Sequence, residues 1–281
     1  MSAAVAQPLS RVFHDARRRV WRPELSPEAV LDRKLAEETA IAFTYQGASY
    51  AVMMATPADL ADFALGFSLN EGVIDKPEQI DKPEQIEALD IVATADGVIL
   101  RIALVDHRAD AFWERRRVLA GPSGCGLCGL ESLAQAMRAP PRVRSDLRVS
   151  AESIHAAMTA LPALQKMNRL TGALHAACFW TPTDGIVVVR EDVGRHNALD
   201  KLTGAAVAAG LSAANGVVLL TSRVSVEMVQ KAASFGVPIL VAVSAPTALA
   251  LRAADAAGIT LIAVARHDGF ETFTHPHRVV V

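Results

Sequence analysis

Gly216-Val217-Val218-Leu219-Leu220-Thr221, Pro238-Ile239-Leu240-Val241-Ala242-Val243-Ser244 and Ile259-Thr260-Leu261-Ile262-Ala263-Val264-Ala265 are short apolar runs rich in branched side chains. Helix-like stretches over 226–235 and 247–257 separate them. A fourth run, 185–190, precedes a helical pattern over 197–209. Apolar strands alternating with helices of this length predict βαβ crossovers in a largely parallel sheet covered on both faces. The C-terminal part is therefore read as α/β.

Outward from these runs, helical segments are predicted at 151–158 and 161–170, a strand at 173–180 and an edge strand at 270–274. Pro140-Pro141 marks a joint, dividing the chain into a small α+β domain over 33–140 and an α/β cofactor-binding domain over 141–281. In the first of these, strands 40–45 and 49–54 meet across Gln46-Gly47. Thr56-Pro57 predicts an N-cap and a first helical proline for a helix over 57–70, with Leu60, Phe63, Ala64 and Phe67 on one face. A second hairpin is predicted from 89–94 and 97–105. The direct repeat Asp75-Lys76-Pro77-Glu78-Gln79-Ile80 and Asp81-Lys82-Pro83-Glu84-Gln85-Ile86 reads as a lengthened surface loop. Residues 1–32 read as a tail or extended arm.

The chain has 281 residues, 51% apolar and 21% charged, a globular composition with room for two domains. A net charge of -2 gives no support for nucleic-acid binding. Arg11, Arg17, Arg18 and Arg19 lead into Trp21-Arg22-Pro23-Glu24, which is no signal-peptide core. No apolar run reaches the ~20 residues of a spanning helix. Three cysteines make no disulfide framework, so a reducing compartment, the cytoplasm, is expected.

Two cysteines share the turn Gly121-Pro122-Ser123-Gly124-Cys125-Gly126-Leu127-Cys128-Gly129, just before a helical pattern over 130–137. Unpaired amides at a helix start favour a thiolate. An accessible thiolate pair suits metal ligation, redox exchange, or a persulfide that is accepted and passed on. Zinc needs two further ligands, for which His107, His175 and Cys178 are available. A nucleobase deaminase would need a His-x-Glu upstream, and the chain has none.

In the second domain, polar groups cluster after the apolar runs. Thr171-Gly172 precedes His175, which suits an anion or a structural place equally. The stretch Glu191-Asp192-Val193-Gly194-Arg195-His196-Asn197-Ala198-Leu199-Asp200-Lys201 follows one strand; its carboxylates could accept from guanine, and Arg195 and His196 could meet phosphates. Thr221-Ser222-Arg223, Ser244-Ala245-Pro246-Thr247 and Val264-Ala265-Arg266-His267-Asp268-Gly269 follow the others. Together they predict one crevice at the strand ends. No GxGxxG or Walker A motif is present.

From about residue 36 these blocks resemble the FdhD family of sulfur carriers needed for formate dehydrogenase activity. The resemblance rests on Met54-Ala55-Thr56-Pro57, Gly66-Phe67 through Glu71-Gly72, Cys125-Gly126-Leu127-Cys128-Gly129, Thr171-Gly172 with His175, the block from Glu191 to Lys201, and Ser244-Ala245-Pro246-Thr247. It implies a sulfurtransferase-type carrier that takes persulfide sulfur from a cysteine desulfurase at Cys125, with Cys128 as companion. The acceptor is a molybdenum or tungsten bis(molybdopterin guanine dinucleotide), bound as substrate before it enters apo-formate dehydrogenase; no permanently bound cofactor is expected. The resemblance further implies a homodimer and a three-layer C-terminal domain of the cytidine deaminase fold without its catalysis. Val264, Ala265, Arg266, His267, Asp268 and Gly269 match the cofactor-binding stretch, and His175, Asp192, Arg195, His196 and Arg223 are further cofactor-binding candidates. The family has Ser-Gly-Arg where this chain has Thr221-Ser222-Arg223, which puts the local phosphate contact in doubt. A non-covalent cofactor chaperone and, behind it, a zinc-dependent deaminase-like hydrolase are the competing readings.

Overall fold

A computed structural model of the chain describes residues 11–19, 30–75, 85–106, 108–110, 113 and 139–281. Cys125, Cys128, His107 and the helix expected over 130–137 lie outside the described residues. So do residues 76–84 of the repeat. At its borders the Asp75 amide donates to the Gln85 side chain at 2.7 Å, and that side chain donates back to the Asp75 carbonyl at 3.0 Å.

Strand β1 (Phe13–Arg19) pairs antiparallel with β2 (Val30–Ala36) as a two-stranded ribbon. It is tied to the body by the Arg33 guanidinium, which donates to the Thr171 carbonyl at 2.5 Å. The N-terminal sheet follows. β3 (Thr39–Tyr45) and β4 (Ala48–Ala55) turn at Gln46 and Gly47, both at positive φ (49° and 77°). Two consecutive left-handed residues match the strand twist of a tight hairpin. β5 (Ile86–Ala93) and β6 (Val98–Leu104) form the second hairpin, and β6 lies parallel to β3, giving the order β4-β3-β6-β5.

Helix α1 (Leu60–Asn70) covers this sheet, with the Phe43 ring stacked on Phe67 at 4.0 Å and edge-on to Phe63 at 5.0 Å. The helix starts three residues later than Thr56-Pro57 predicts. Asp59, at φ 53°, occupies its N-cap without a side-chain capping bond. Thr56 is instead engaged by the second half of the chain, as described below.

In that half, β7 (Val149–Ser150) leads into α2 (Ala151–Leu164), whose Ser150 cap accepts from the Ser153 amide, and then into α3 (Lys166–Thr171). Strands β8 (His175–Thr181) and β9 (Gly185–Asp192) precede α4 (Arg195–Ala208). Then β10 (Val217–Leu220), α5 (Val226–Phe235), β11 (Ile239–Ala242), α6 (Ala248–Ala257) and β12 (Thr260–Arg266) alternate. β13 (Gly269–Thr272) is an antiparallel edge strand, and β14 (Val279–Val280) pairs with β7.

The sheet order is β13-β12-β11-β10-β8-β9. Of its neighbours, only β10–β11 and β11–β12 pair in parallel; β8 runs against both β10 and β9, so β9 points the same way as β10 without pairing with it. The sheet is therefore mixed, where the branched runs predict a largely parallel one. Only Pro182, Thr183 and Asp184 separate β8 from β9. A parallel crossover needs a dozen or more residues, so the run at 185–190 returns as a hairpin strand.

Alternate residues of each strand feed opposite cores. Phe179, Val218, Leu220, Leu240 and Leu261 pack with α4, α5 and α6. Cys178, Trp180, Val217, Leu219, Ile239 and Val241 pack with α2. This half has three layers, helices on both faces of one sheet.

Helix α1 lies between the N-terminal sheet and α4, and nine of its eleven residues are buried. The crossing is backbone on backbone. A Cβ at Gly66 would overlap the Asp200 carbonyl, and one at Gly204 would overlap the Asp62 carbonyl. No helix among the described residues is long and apolar enough to cross a membrane.

Candidate functional site

Loops leaving the carboxyl ends of parallel strands form the usual ligand edge of an open α/β sheet. Here β9, β10, β11 and β12 end on one edge, and the antiparallel β8 begins there, placing His175 opposite Asp192 and Ala177 opposite Leu220. The loops are joined by their own backbones. The Thr221 amide donates to the Ala176 carbonyl at 3.1 Å, and its hydroxyl accepts from the Ala176 amide at 2.8 Å. The Val224 amide donates to Ala245 at 3.3 Å, Thr247 to Val224 at 3.0 Å, and Val264 to Ser244 at 3.4 Å.

At the β9 end, α4 begins at Arg195 behind Gly194, with no side-chain cap. The Arg195 Nε–H is buried and has no hydrogen-bond partner among the described residues. A buried donor left unpaired costs about 1–3 kcal/mol, so this atom marks a place where an acceptor fits. His196 stands beside it, its Nε2 2.9 Å from a Glu227 carboxylate oxygen and 3.4 Å from the Ser225 hydroxyl. His175 is half-buried at the start of β8.

Both imidazoles are held below their ordinary pKa. For His175 the larger cause is burial, followed by the Arg195 charge, with Asp192 opposing. For His196 burial again leads; Arg195 and Lys231 add to it, and Glu227 and Asp200 oppose. Partly desolvated neutral imidazoles next to an arginine form a cradle that an anion would stabilise.

Farther along the edge, Arg223 is exposed on the loop after β10. Ser222 stands where the resemblance expects a glycine. Its side chain is buried and donates to the Arg223 carbonyl at 3.0 Å, and its backbone needs no left-handed conformation. Near the end of β12, the ladder to β13 slips between Ala263 and Arg266, and Val264 takes φ 51°. A β-branched residue in that region is a costly exception, and such exceptions gather at ligand-facing turns. Ala265 is buried; Arg266, His267 and Asp268 are exposed, and Gly269 turns at φ 139°. The His267 carbonyl lies 3.2 Å from His155 Nε2 of α2. β12 is four strand positions from β9, about 19 Å at the usual spacing. The candidate residues therefore share one edge, but Arg195 and the stretch from Val264 to Gly269 cannot meet on a single phosphate.

Asp192 is the exception among the candidates. It has no exposed surface. Its Oδ1 accepts from the Gly194 amide at 2.7 Å and from Asn197 Nδ2 at 3.0 Å; its Oδ2 accepts from the Thr56 amide at 3.0 Å and from Lys201 Nζ at 2.6 Å. Four donors fill a carboxylate's usual capacity, so Asp192 has no oxygen left for a ligand. Glu191 is buried as well and caps the start of α3, accepting from the Met167 and Asn168 amides.

Thr56 and Lys201 are what the sequence reading missed. The signal was there as polar residues spaced by four along α4: Asn197 and Lys201 recur on one helical face beyond the first turn, where a solvated cap no longer explains them.

Cys178 is fully buried in β8, and burial pushes its thiol pKa up to about 12, which suits a packed thiol and not a thiolate ligand. Among the described residues no group of three or more His, Cys, Asp or Glu side chains could hold a metal ion. Cavities of about 490 Å³, beside Thr44 and Arg101, and about 420 Å³, beside Thr181 and Asn215, include none of the residues of the strand-end edge.

Comparison with known proteins covers nearly the whole chain. A sulfur carrier protein FdhD of Agrobacterium fabrum is 51% identical across 94% of this chain and 96% of its own length. A sulfur carrier protein FdhD of Xanthomonas campestris pv. campestris is 46% identical across 93% of this chain and 91% of its own. The crystal structure of a putative formate dehydrogenase accessory protein from Desulfotalea psychrophila superposes with a TM-score of 0.71, covering 97% of this chain and 100% of that one at 24% identity. It shares the mixed α/β fold. The profile of the FdhD/NarQ family matches residues 36–280, and the chain belongs to that family.

Proposed function

We propose that this protein is a sulfur carrier that moves persulfide sulfur from a cysteine desulfurase to a molybdenum or tungsten bis(molybdopterin guanine dinucleotide) on its way to formate dehydrogenase. Relatives named as sulfur carriers, alike over more than nine-tenths of the chain, support the activity. The structural observation that carries the binding half is the buried Arg195 Nε–H, without a partner among the described residues, on a guanidinium whose charge acts on both His175 and His196. A phosphate oxygen is the acceptor this donor suits, as a charge-assisted hydrogen bond. The length of the edge, from Arg195 to the turn after β12, favours an extended ligand with several polar groups over a compact one.

The chemistry begins at Cys125. Its thiolate attacks the terminal sulfur of the desulfurase persulfide, one S–S bond forms as another breaks, and the desulfurase cysteine leaves as a thiolate. Cys128 is its companion. In delivery the Cys128 thiolate attacks the inner sulfur of Cys125, the outer sulfur leaves as sulfide for the metal, and the Cys125–Cys128 disulfide that forms is reopened by a dithiol reductant. Residues 264–269 and Arg223 would hold the nucleotide portion, and Arg195 and His196 a phosphate. The same reading makes the protein a cytoplasmic homodimer and relates its three-layer half to the cytidine deaminase fold.

Incubation with a cysteine desulfurase and cysteine should add about 32 Da, one sulfur atom, to Cys125 or Cys128 by mass spectrometry. An unmodified peptide, with formate dehydrogenase activation retained when both cysteines are serine, would establish a non-covalent chaperone instead. Arg195→Met should weaken guanosine diphosphate binding by about 10- to 100-fold, the loss of one or two bonds to a charged group. Equal affinity in the variant would remove Arg195 from the site.

A further inference from the structure

The turn that presents Arg195 is held by the other half of the chain. Beyond the four bonds to Asp192, the Thr56 hydroxyl accepts from the Val193 amide at 3.1 Å, and Lys201 Nζ donates to the Thr56 carbonyl at 2.8 Å. Asn197 Nδ2 also reaches the Met54 carbonyl at 2.8 Å. Lys201 has no exposed surface and lies 5.4 Å from the Phe63 ring centroid. A Cβ at Gly194 would stand 2.7 Å from Asn197 Nδ2, so the turn is filled as well as bonded. The amides of Val193 and Gly194 are both spent on this clasp, and the next residue is Arg195.

We propose that Thr56 and Lys201 are positioning residues of the ligand edge: through Asp192 and the Val193 amide they lock the turn that aims the Arg195 guanidinium and the His196 imidazole at an anionic ligand. A buried ion pair contributes little net stability when compared with apolar packing, yet it enforces one geometry because breaking it strands a charge. The clasp thus ties the end of β4 to the ligand edge. This inference deepens the reading of that edge as a nucleotide-phosphate site and rests on it for its ligand, so one readout of the test uses no ligand.

The variants are Thr56→Val, Thr56→Ser, Lys201→Met and, as control, Thr203→Val. Thr203 is a buried α4 residue whose hydroxyl donates only to the Leu199 carbonyl, away from the turn. Calorimetric titration with guanosine diphosphate should show about tenfold weaker binding for Thr56→Val and Lys201→Met, the loss expected when one positioned contact is misaimed. Thr56→Ser, which keeps the acceptor, should restore affinity, and Thr203→Val should bind as the wild type does even if it melts earlier. Imidazole NMR titration without ligand should show His175 and His196 moving upward in pKa in Thr56→Val as Arg195 swings away, and staying put in Thr203→Val.

Unchanged affinity and unchanged imidazole titration in Thr56→Val would overturn the proposal. So would equal losses in Thr56→Val and Thr203→Val, which would reduce the clasp to general stability. If the wild type does not bind guanosine diphosphate while Thr56→Val still shifts both imidazoles, the nucleotide reading falls and the positioning role stands.

Discussion

Two histidines beside Arg195 carry charge on and off near neutral pH, and the direction of their shifts sets how the fold responds. Both sit below the ordinary value of 6.5 in the folded protein, chiefly through burial and then through neighbouring cations. Above 6.5 they are neutral in both folded and unfolded chains and contribute no pH dependence. As the pH falls from 6.5 through their depressed folded values, the unfolded chain takes up protons first, and stability is lost. The urea midpoint should therefore drop between pH 7.5 and 5.5, and His175→Gln with His196→Gln should flatten that slope. An unaltered slope in the double variant would assign the effect elsewhere. Anion binding runs the other way: it favours the imidazolium, so affinity for a phosphate ligand should rise over the same acid range.

At the scale of elements, the decisive contact is α1 against α4. The crossing works because Gly66 and Gly204 face each other's helices, with the built Cβ at Gly66 also only 2.7 Å from the Gly204 amide nitrogen. Around it the polar pairs line up: Lys231 binds both Asp200 oxygens at 2.7 and 2.8 Å, Asn70 donates to Asp200 at 2.6 Å, and Arg190 meets Asp62 at 2.8 Å. Gly66→Ala should push the helices apart and cost about 1–3 kcal/mol, visible as a lower urea midpoint. A variant as stable as the wild type would mean that the crossing relaxes freely. The same displacement moves Asp200 and Lys201, so guanosine diphosphate binding should weaken with it.

The whole molecule follows from that crossing. Its N-terminal sheet covers one side of α1 and the C-terminal half the other, and the buried Lys201–Asp192 pair with Thr56 closes the seam. Lys201→Met leaves Asp192 buried without its cation and should destabilise the protein by about 3–5 kcal/mol. Because the seam is shared core, calorimetry should show one cooperative unfolding transition for both halves. Two separate transitions would refute the shared core. Much of the chain's family signature serves this seam: Met54-Ala55-Thr56-Pro57 and the block from Glu191 to Lys201 read as ligand motifs, yet in part they bind one another.

By itself the sequence determined the elements that local chemistry dictates. The three parallel runs with their helices, the Gln46-Gly47 hairpin turn and the edge strand after Asp268 follow from side-chain periodicity and turn residues, which act over a few positions. The resemblance named the family from spaced motifs, and the family comparison agrees. Tertiary structure alone decided the rest. It moved the start of α1 from Pro57 to Leu60 and made Asp192 an internal clamp, while leaving the Arg195 Nε–H without an acceptor among the described residues. These turn on Thr56 meeting Asp192, 136 positions away, across the seam; the spacing of Asn197 and Lys201 marks a polar face of α4 but does not name the partner it meets.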